Sequence, residues 1–359
     1  MKESFHENDN QLLEKALKEL LNWYFVKARD LPWRKTKDPY CIWLSEIMLQ
    51  QTRVEAVKEY YARFLSRLPD IKSLANAPEE LVLKLWEGLG YYSRARNLRK
   101  AAQMILTEYG GKFPSEFEKI RKLPGIGEYT AGAILSIAFG LPYPAVDGNV
   151  LRVLSRVLNS YDDITEQKTK SKMTELLRRV YPKEHCSEVT QSLMELGAMI
   201  CIPNGQPKCE ECPLKMLCRA YQNNTVDELP VKKGKAKRKI QKKTVFLMRC
   251  GDEYAILKRE QKGLLAGMWE FPNQEGQLTK AEILKSIPFV KEVSPLGFHR
   301  HIFTHVEWEM WGYELIVEEK DNEFIWVSKE KIQKEYAVPK AFQPFLKKIL
   351  ISKTVGKQS

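Results

Sequence analysis

From residue 11 to about 220, apolar residues recur every three or four positions through a succession of segments. These are LLEKALKELLNWY, IWLSEIMLQQTRVEAVKEYYARFL, EELVLKLWEGL, NLRKAAQMILTEY, EYTAGAILSIAF, NVLRVLSRVL, KSKMTELLRRV and SEVTQSLMELGAMI. Such a period puts one apolar face on each helix. Gly, Pro and Asp stand between the segments, as at Gly110-Gly111 and from Pro142 to Pro144, where they cap and turn the chain. The pattern predicts an all-α bundle over residues 1–225. VKKGKAKRKIQKK, from Val231 to Lys243, holds eight Lys or Arg residues and little apolar content. It reads as an exposed linker, residues 226–243, able to follow a phosphate backbone. Beyond it TVFLMRC, EYAILKR, EWEMWGYELIV and EFIWVS read as strands, and EILKSI and AFQPFLKKIL as helices. Residues 244–352 are therefore expected to form an α+β domain. No internal repeat is found.

At 359 residues and 43% hydrophobic, with no apolar run approaching eighteen residues, the chain suits two packed domains and offers no membrane span. Its first residues, MKESFHENDN, are polar and acidic, unlike a secretory signal, which sets the expectation of a cytoplasmic, nucleoid-associated protein. A net charge of +12 favours polyanionic partners, although a basic solvated surface explains the same balance. Of seven cysteines, Cys201, Cys209, Cys212 and Cys218 fall within eighteen residues, and in a reducing compartment such crowding points to metal rather than disulfides. Four thiolates complete the ligand set of one metal centre; zinc and an iron–sulfur cluster both suit that count.

Three further places carry candidate chemistry. Leu123-Pro124-Gly125-Ile126-Gly127 lies between helical stretches, and Gly125 and Gly127 permit a tight turn whose amides face outward at a helix N-terminus. A plain helix–helix connection reads the same way. Asp147 stands where an N-cap belongs, before Val150, Val153, Leu154 and Val157, and the helix dipole and backbone donors of that position would keep its carboxylate ionised. Glu46 sits among Trp43, Ile47, Met48 and Leu49, where burial would raise its pKa, unless it faces solvent from an amphipathic helix.

These motifs converge on a resemblance. Residues 20–220 resemble the endonuclease III and MutY superfamily of DNA glycosylases, whose helical domain ends in a four-cysteine loop holding a [4Fe–4S] cluster. The spacing here, Cys201-x7-Cys209-x2-Cys212-x5-Cys218, has one residue more in its first gap than is usual, which implies a one-residue bulge. The Pro-Gly-x-Gly turn is similar to the family's helix-hairpin-helix, which grips phosphate without reading sequence. Val146-Asp147-Gly148 takes the place of the family's Gly-Pro-Asp. Cleavage of a glycosidic bond through an oxocarbenium-like transition state calls for two carboxyl roles. The resemblance gives Glu46 the protonation of adenine at N7 and later the activation of water. It gives Asp147 the stabilisation of the deoxyribosyl cation, through a transient covalent adduct, and Tyr129 with Asn149 the orienting of both. Relatives that also cut the strand have a Schiff-base lysine where this chain has Tyr129, so a monofunctional enzyme is implied.

Leu31-Pro32-Trp33-Arg34, Met48-Leu49-Gln50-Gln51-Thr52 and Gly88-Leu89-Gly90-Tyr91-Tyr92 resemble segments of the MutY branch. That resemblance implies Gln51 and Tyr91 as wedges beside a flipped base, with Thr52, Leu89 and Gly90 alongside, and Trp33, Arg34 and Gln191 as lining of the adenine pocket. Trp33 can equally be a packed aromatic. Gly267-Met268-Trp269-Glu270-Phe271-Pro272 and the loop Phe303-Thr304-His305 resemble a Nudix-like fold lacking the Arg-Glu-x-x-Glu-Glu run that binds Mg²⁺, which leaves recognition rather than hydrolysis. The Thr304 hydroxyl, able to donate and accept, suits the altered edge of oxidised guanine, where many relatives have Ser. His305 would contact phosphate or base, and a polar hairpin tip is the plain alternative. The implied partner is duplex DNA with adenine opposite 8-oxoguanine, bound by a monomer. Two other readings stay open: a pyrimidine or thymine glycosylase on the same scaffold, and a non-catalytic iron–sulfur sensor on DNA.

Overall fold

The structure, a computed structural model, describes residues 7–234 and 238–351. Most of the polar N-terminal stretch, the middle of the basic linker at 235–237 and Ser352, the last residue of the expected α+β domain, lie outside the described residues. The chain divides into two compact units, one of residues 1–76 and 97–234, the other of residues 77–96 and 235–359. Among the described residues no helix is long and apolar enough to cross a membrane.

The first unit is helical, as its period predicts. It contains α1 (Glu7–Lys27), α2 (Pro39–Leu49), α3 (Val54–Arg67) and α4 (Ile71–Asn76). After the second unit's α5 (Glu79–Trp86), α6 (Ser93–Glu108) runs from that unit into the first. There follow α7 (Phe117–Arg121), α8 (Glu128–Phe139), α9 (Gly148–Leu158), α10 (Gln167–Val180), α11 (Cys186–Met199) and α12 (Arg219–Gln222). Asp38 caps α2, accepting from the Tyr40 amide at 2.8 Å, with Pro39 at the first helical position. The segment read as one helical run over 42–65 is in fact broken between Leu49 and Val54. The two halves are packed differently: α2 is buried on nearly every side, whereas α3 buries only the stripe Val57, Tyr61 and Phe64. Gln51, at φ +56°, makes the turn between them.

Leu13, Leu17 and Leu20 of α1 pack on Val150, Val153 and Leu154 of α9, Leu176 and Leu177 of α10, and Leu193 and Leu196 of α11. A smaller cluster, Ile42 of α2 with Ala133 and Ile137 of α8 and Ala145, is flanked by Tyr129 and Met194. Close approach here requires glycine. A Cβ on Gly132 would stand 2.5 Å from the Pro144 carbonyl oxygen, so α8 lies directly against the segment that leads to Asp147.

The second unit is built on a mixed sheet in the order β3–β2–β1–β6–β5, where β1 is Lys239–Cys250, β2 Glu253–Lys258, β3 Trp269–Glu270, β5 Val290–Ile302 and β6 Val306–Val317. β4 (Asn273–Glu275) pairs with β1, and β7 (Ile325–Ser328) with β2. β1 and β6 run parallel, from Lys239 opposite Val306 to Arg249 opposite Ile316. Alternate residues of β1 enter different cores: Val245 and Leu247 meet Phe342, Phe345 and Leu346 of α15 (Gln343–Ile351) and its approach, while Phe246 and Met248 meet Ile283 of α13 (Lys280–Ser286). α14 (Lys329–Glu335) adds Ile332 to the first core.

Two expectations change here. The stretch read as an exposed linker up to residue 243 already belongs to β1 from Lys239, because its backbone pairs with β6. Its charged side chains lie over aromatic rings, Lys243 over Trp308 at 4.9 Å and Lys242 over Trp311 at 5.9 Å. β5 is not visible in the hydrophobic pattern: register shifts at 290–292 and 295–297 break its alternation, and most of its side chains are partly or wholly exposed.

Candidate active site

Glu46 lies in the fourth-from-last position of α2, 5% exposed. One oxygen accepts a hydrogen bond of 2.6 Å from the Tyr129 hydroxyl, which α8 brings across from the other side. Burial pushes the Glu46 carboxyl up to about 7, nearby Asp147 adds to the rise, and the Tyr129 hydroxyl and the Arg34 guanidinium oppose it. A group so placed exchanges a proton near neutrality.

Asp147 is the N-cap of α9. Its Oδ1 accepts from the amides of Asn149 at 2.9 Å and Val150 at 2.8 Å, and its Oδ2 from Asn149 Nδ2 at 2.7 Å. Burial raises its pKa in spite of those donors, so capping does not depress it as the dipole argument predicts; the loss of water outweighs the hydrogen bonds. Arg152, one turn on, donates to Asn149 Oδ1 at 2.9 Å, to the Gly197 carbonyl at 2.7 Å and to the Cys201 carbonyl at 2.7 Å. Gly197 is required by this contact, since a Cβ there would stand 2.5 Å from that of Asn149.

These groups share a cavity of about 950 Å³. Trp33, Arg34, Glu46, Gln51, Thr52, Tyr129, Asp147, Asn149 and Gln191 all line it, which brings together nine residues singled out in sequence. Their settings differ. Trp33 is 5% exposed and edge-on to Tyr61 at 5.5 Å, a packed aromatic that also touches the cavity. Gln191 accepts from the Tyr24 hydroxyl at 3.1 Å and donates to Ser187 at 2.9 Å. Arg34 is held by Glu195, a residue that sequence reasoning missed together with Arg29. Glu195 lies four positions after Gln191 on the same helix, an acid among apolar neighbours, which is the signal that singled out Glu46.

The remaining candidates lie elsewhere. In the first unit Gly125, at φ +80°, turns between α7 and α8 with only 2.8 Å between its would-be Cβ and that of Asn97, and Gly127 heads α8 without a side-chain cap. In the second unit Leu89 is buried, while Tyr91 is 47% exposed at φ +48°. Trp86 and Arg94 bond the Gly90 carbonyl at 3.1 and 3.0 Å. Thr304 and His305 are exposed at the tip between β5 and β6, which the Phe303 amide closes on the Val306 carbonyl at 2.8 Å. Phe303 itself packs edge-on to Trp308 at 4.9 Å.

Cys201, Cys209, Cys212 and Cys218 line a second, smaller cavity with Arg156, Lys215 and Tyr221. No carboxylate or imidazole lines it, so the donor set is all sulfur. Arg156 Nη1 lies 3.2 Å from the Cys201 sulfur, which fits a centre whose thiolates leave net negative charge. Among the described residues no three His, Cys, Asp or Glu side chains stand close enough together to hold a metal ion as they are placed.

The family model described as HhH-GPD superfamily base excision DNA repair protein matches residues 44–179, and the NUDIX domain model matches residues 244–348. An adenine DNA glycosylase of Buchnera aphidicola subsp. Schizaphis graminum is 38% identical over 290 residues, spanning 80% of this chain and 83% of its own. The adenine DNA glycosylase of Homo sapiens is 33% identical over 363 residues, 83% of this chain and 66% of its own. A solved structure of a thermostable thymine-DNA glycosylase, 30% identical, superposes with a TM-score of 0.53 over 60% of this chain and 98% of that one.

Proposed function

The chain belongs to the adenine DNA glycosylase family of base excision repair, and from that premise we propose that it removes adenine standing opposite 8-oxoguanine in duplex DNA, as a monofunctional glycosylase. The observation that carries the reading is the pairing of Glu46, with its pKa near 7, and Asp147 on the wall of one cavity. Glu46 delivers its proton to N7 of a flipped adenine as the C1′–N9 bond breaks and its electron pair leaves with the base. Asp147, ionised beside a neutral Glu46, stabilises the sugar cation and bonds C1′ transiently. Water then displaces the carboxylate and gives a proton back to Glu46. Tyr129 and Asn149 hold the two carboxyls in place through the 2.6 and 2.7 Å bonds already described.

With no amine at position 129 to attack the sugar carbon, strand cleavage does not accompany base release. Gly125 and Gly127 offer amides to a phosphate at the head of α8, Gln51 and Tyr91 wedge the duplex open, and Thr304 reads the oxidised guanine. The four cysteines would hold a [4Fe–4S] cluster, which when bound would cross-link the loop from Cys201 to Cys218. The thymine-DNA glycosylase similarity covers 60% of the chain; the C-terminal unit and Tyr129 favour adenine.

The test is a duplex with one adenine opposite 8-oxoguanine, scored for alkali-labile sites beside an undamaged A·T duplex and the Asp147→Asn variant. Cleavage by the unaltered protein alone, and only after alkali, is the expected result. Folded, iron-loaded protein that leaves this duplex intact would overturn the reading.

A further inference from the structure

The cavity that holds Glu46 contains a group that the proposed chemistry does not use. Glu195, on α11 and 1% exposed, lies between two guanidiniums. Its Oε1 accepts from the Arg29 amide at 3.0 Å, from Arg29 Nε at 2.8 Å and from Arg34 Nη1 at 3.1 Å; its Oε2 accepts from Arg29 Nη2 at 2.6 Å and Arg34 Nη2 at 2.7 Å. Arg34 also donates to the Arg29 carbonyl at 2.9 Å and lies 5.5 Å from the centre of the Tyr24 ring. Burial works against the Glu195 carboxylate, yet the two arginines outweigh it and hold its pKa at about 2, so the triad is one negative and two positive charges at every pH of interest.

A buried triad of this kind contributes little to stability for what its desolvation costs, and apolar residues of equal volume would often serve the fold as well. Its position supplies another reason. Arg29, Arg34 and Glu195 all line the cavity, and Arg34 faces Glu46. The titratable and charged groups facing Glu46 are Tyr129 from α8, Asp147 at the head of α9 and Arg34 from the 3₁₀ turn Pro32–Arg34. Those facing the triad itself include Tyr24 from α1.

We propose that Glu195 is a positioning residue for the glycosylase reaction: it fixes Arg29 and Arg34 through these five hydrogen bonds and cancels one of their two charges, so that the wall facing Glu46 carries a single net positive charge at a set place. A bare pair of arginines would strip the proton from Glu46 before it reached the base. A neutral wall would hold the proton too firmly to give up.

This inference rests on the proposed role of Glu46, and the experiment separates the two. Single-turnover release of adenine from the duplex opposite 8-oxoguanine is followed against pH for the unaltered protein, Glu195→Gln and Arg29→Gln, each checked for a cooperative melt and iron content. Single turnovers keep product release out of the profile. An unaltered protein that releases no adenine removes the functional reading itself. With an active unaltered protein, Glu195→Gln should lower the rate at least tenfold at neutral pH and move the basic limb of the profile down by about half a pH unit. Arg29→Gln, which leaves one guanidinium against one carboxylate, should move the same limb upward. Opposite shifts are not the signature of a merely structural triad, which would slow both variants with the limb in place; unmoved limbs, or limbs moving together, overturn the proposal. If Glu195→Gln does not fold, the upward shift in Arg29→Gln alone decides.

Discussion

The hydroxyl of Tyr91 stands 2.9 Å from Oγ1 of Thr304, although 213 positions separate them in the chain. Both belong to the second unit, in which Glu87 accepts from the Val338 amide at 2.9 Å and from Gln343 at 3.2 Å, and Lys84 donates to the Tyr336 carbonyl at 2.8 Å. The proposed wedge and the proposed reader of the oxidised base are thus partners before DNA arrives. Thr304→Val removes the hydroxyl and keeps the shape, and should lower the preference for 8-oxoguanine over guanine opposite adenine about fivefold. Thr304→Ser should retain it. Rates on the two duplexes for both variants decide; equal preference in Thr304→Val and the unaltered protein would remove Thr304 from recognition.

Asp147 both caps α9 and faces the cavity, and the two duties separate by substitution. Asn can still accept at an N-cap, so Asp147→Asn should melt within about 1 kcal/mol of the unaltered protein while releasing no adenine. Asp147→Ala should lose the cap as well, at a further cost of about 1 kcal/mol. Denaturant melts alongside single-turnover rates check both, and substantial base release by Asp147→Asn would take this carboxylate out of the chemistry.

Glu46 has a pKa of about 7 in the folded chain against an ordinary 4.5. Below the lower value both folded and unfolded states hold the proton. Between the two values only the folded state does, so stability falls as pH rises through the window, by about 3 kcal/mol in all. Glu46→Gln should release no adenine, remove that part of the pH dependence, and exceed the unaltered protein in stability by more at pH 8 than at pH 5. Identical pH dependence of the two melts would mean that Glu46 is not held protonated.

Much of this was legible in the chain. The apolar period located the helices of the first unit because they are packed on one stripe, as in α3, or by nearly continuous apolar sequence, as in α2. Glu46 and Asp147 stood out as an acid in an apolar segment and an acid before one. What stayed hidden depends on distant partners. The break at Gln51 is a backbone turn that the apolar spacing on either side does not mark, and the strand at Lys239–Lys243 exists because β6 pairs with it, despite a composition that reads as solvated. Arg29 carried no local mark, since its role is set by Glu195, 166 residues away.

Gly197 packs against Asn149 with no room for a methyl group. Gly197→Ala should therefore displace Asn149 from Asp147, cost about 1–3 kcal/mol, and reduce the rate of base release beyond what the lost stability accounts for. Rates measured well below the melting temperature test this; a variant that is destabilised but fully active would show that Asn149 does not orient Asp147.

The cysteine loop predicts a brown protein when purified without oxygen, with about four irons per chain. Cys212→Ser should lose colour and iron together. A colourless preparation with one tightly held zinc would assign the loop to a structural zinc site instead.

Residues 77–96 sit in the second unit although the chain on either side of them belongs to the first. Backbone therefore passes from one unit to the other three times, after Asn76, Arg96 and Gly234. A protease that cuts the basic segment following Gly234 severs one passage of three, and the C-terminal fragment parts from the stretch that carries Glu87 and Tyr91, the hydrogen-bond partners of Val338, Gln343 and Thr304. Genetic dissection at the linker should therefore leave the C-terminal fragment less stable than the same unit in the uncut chain.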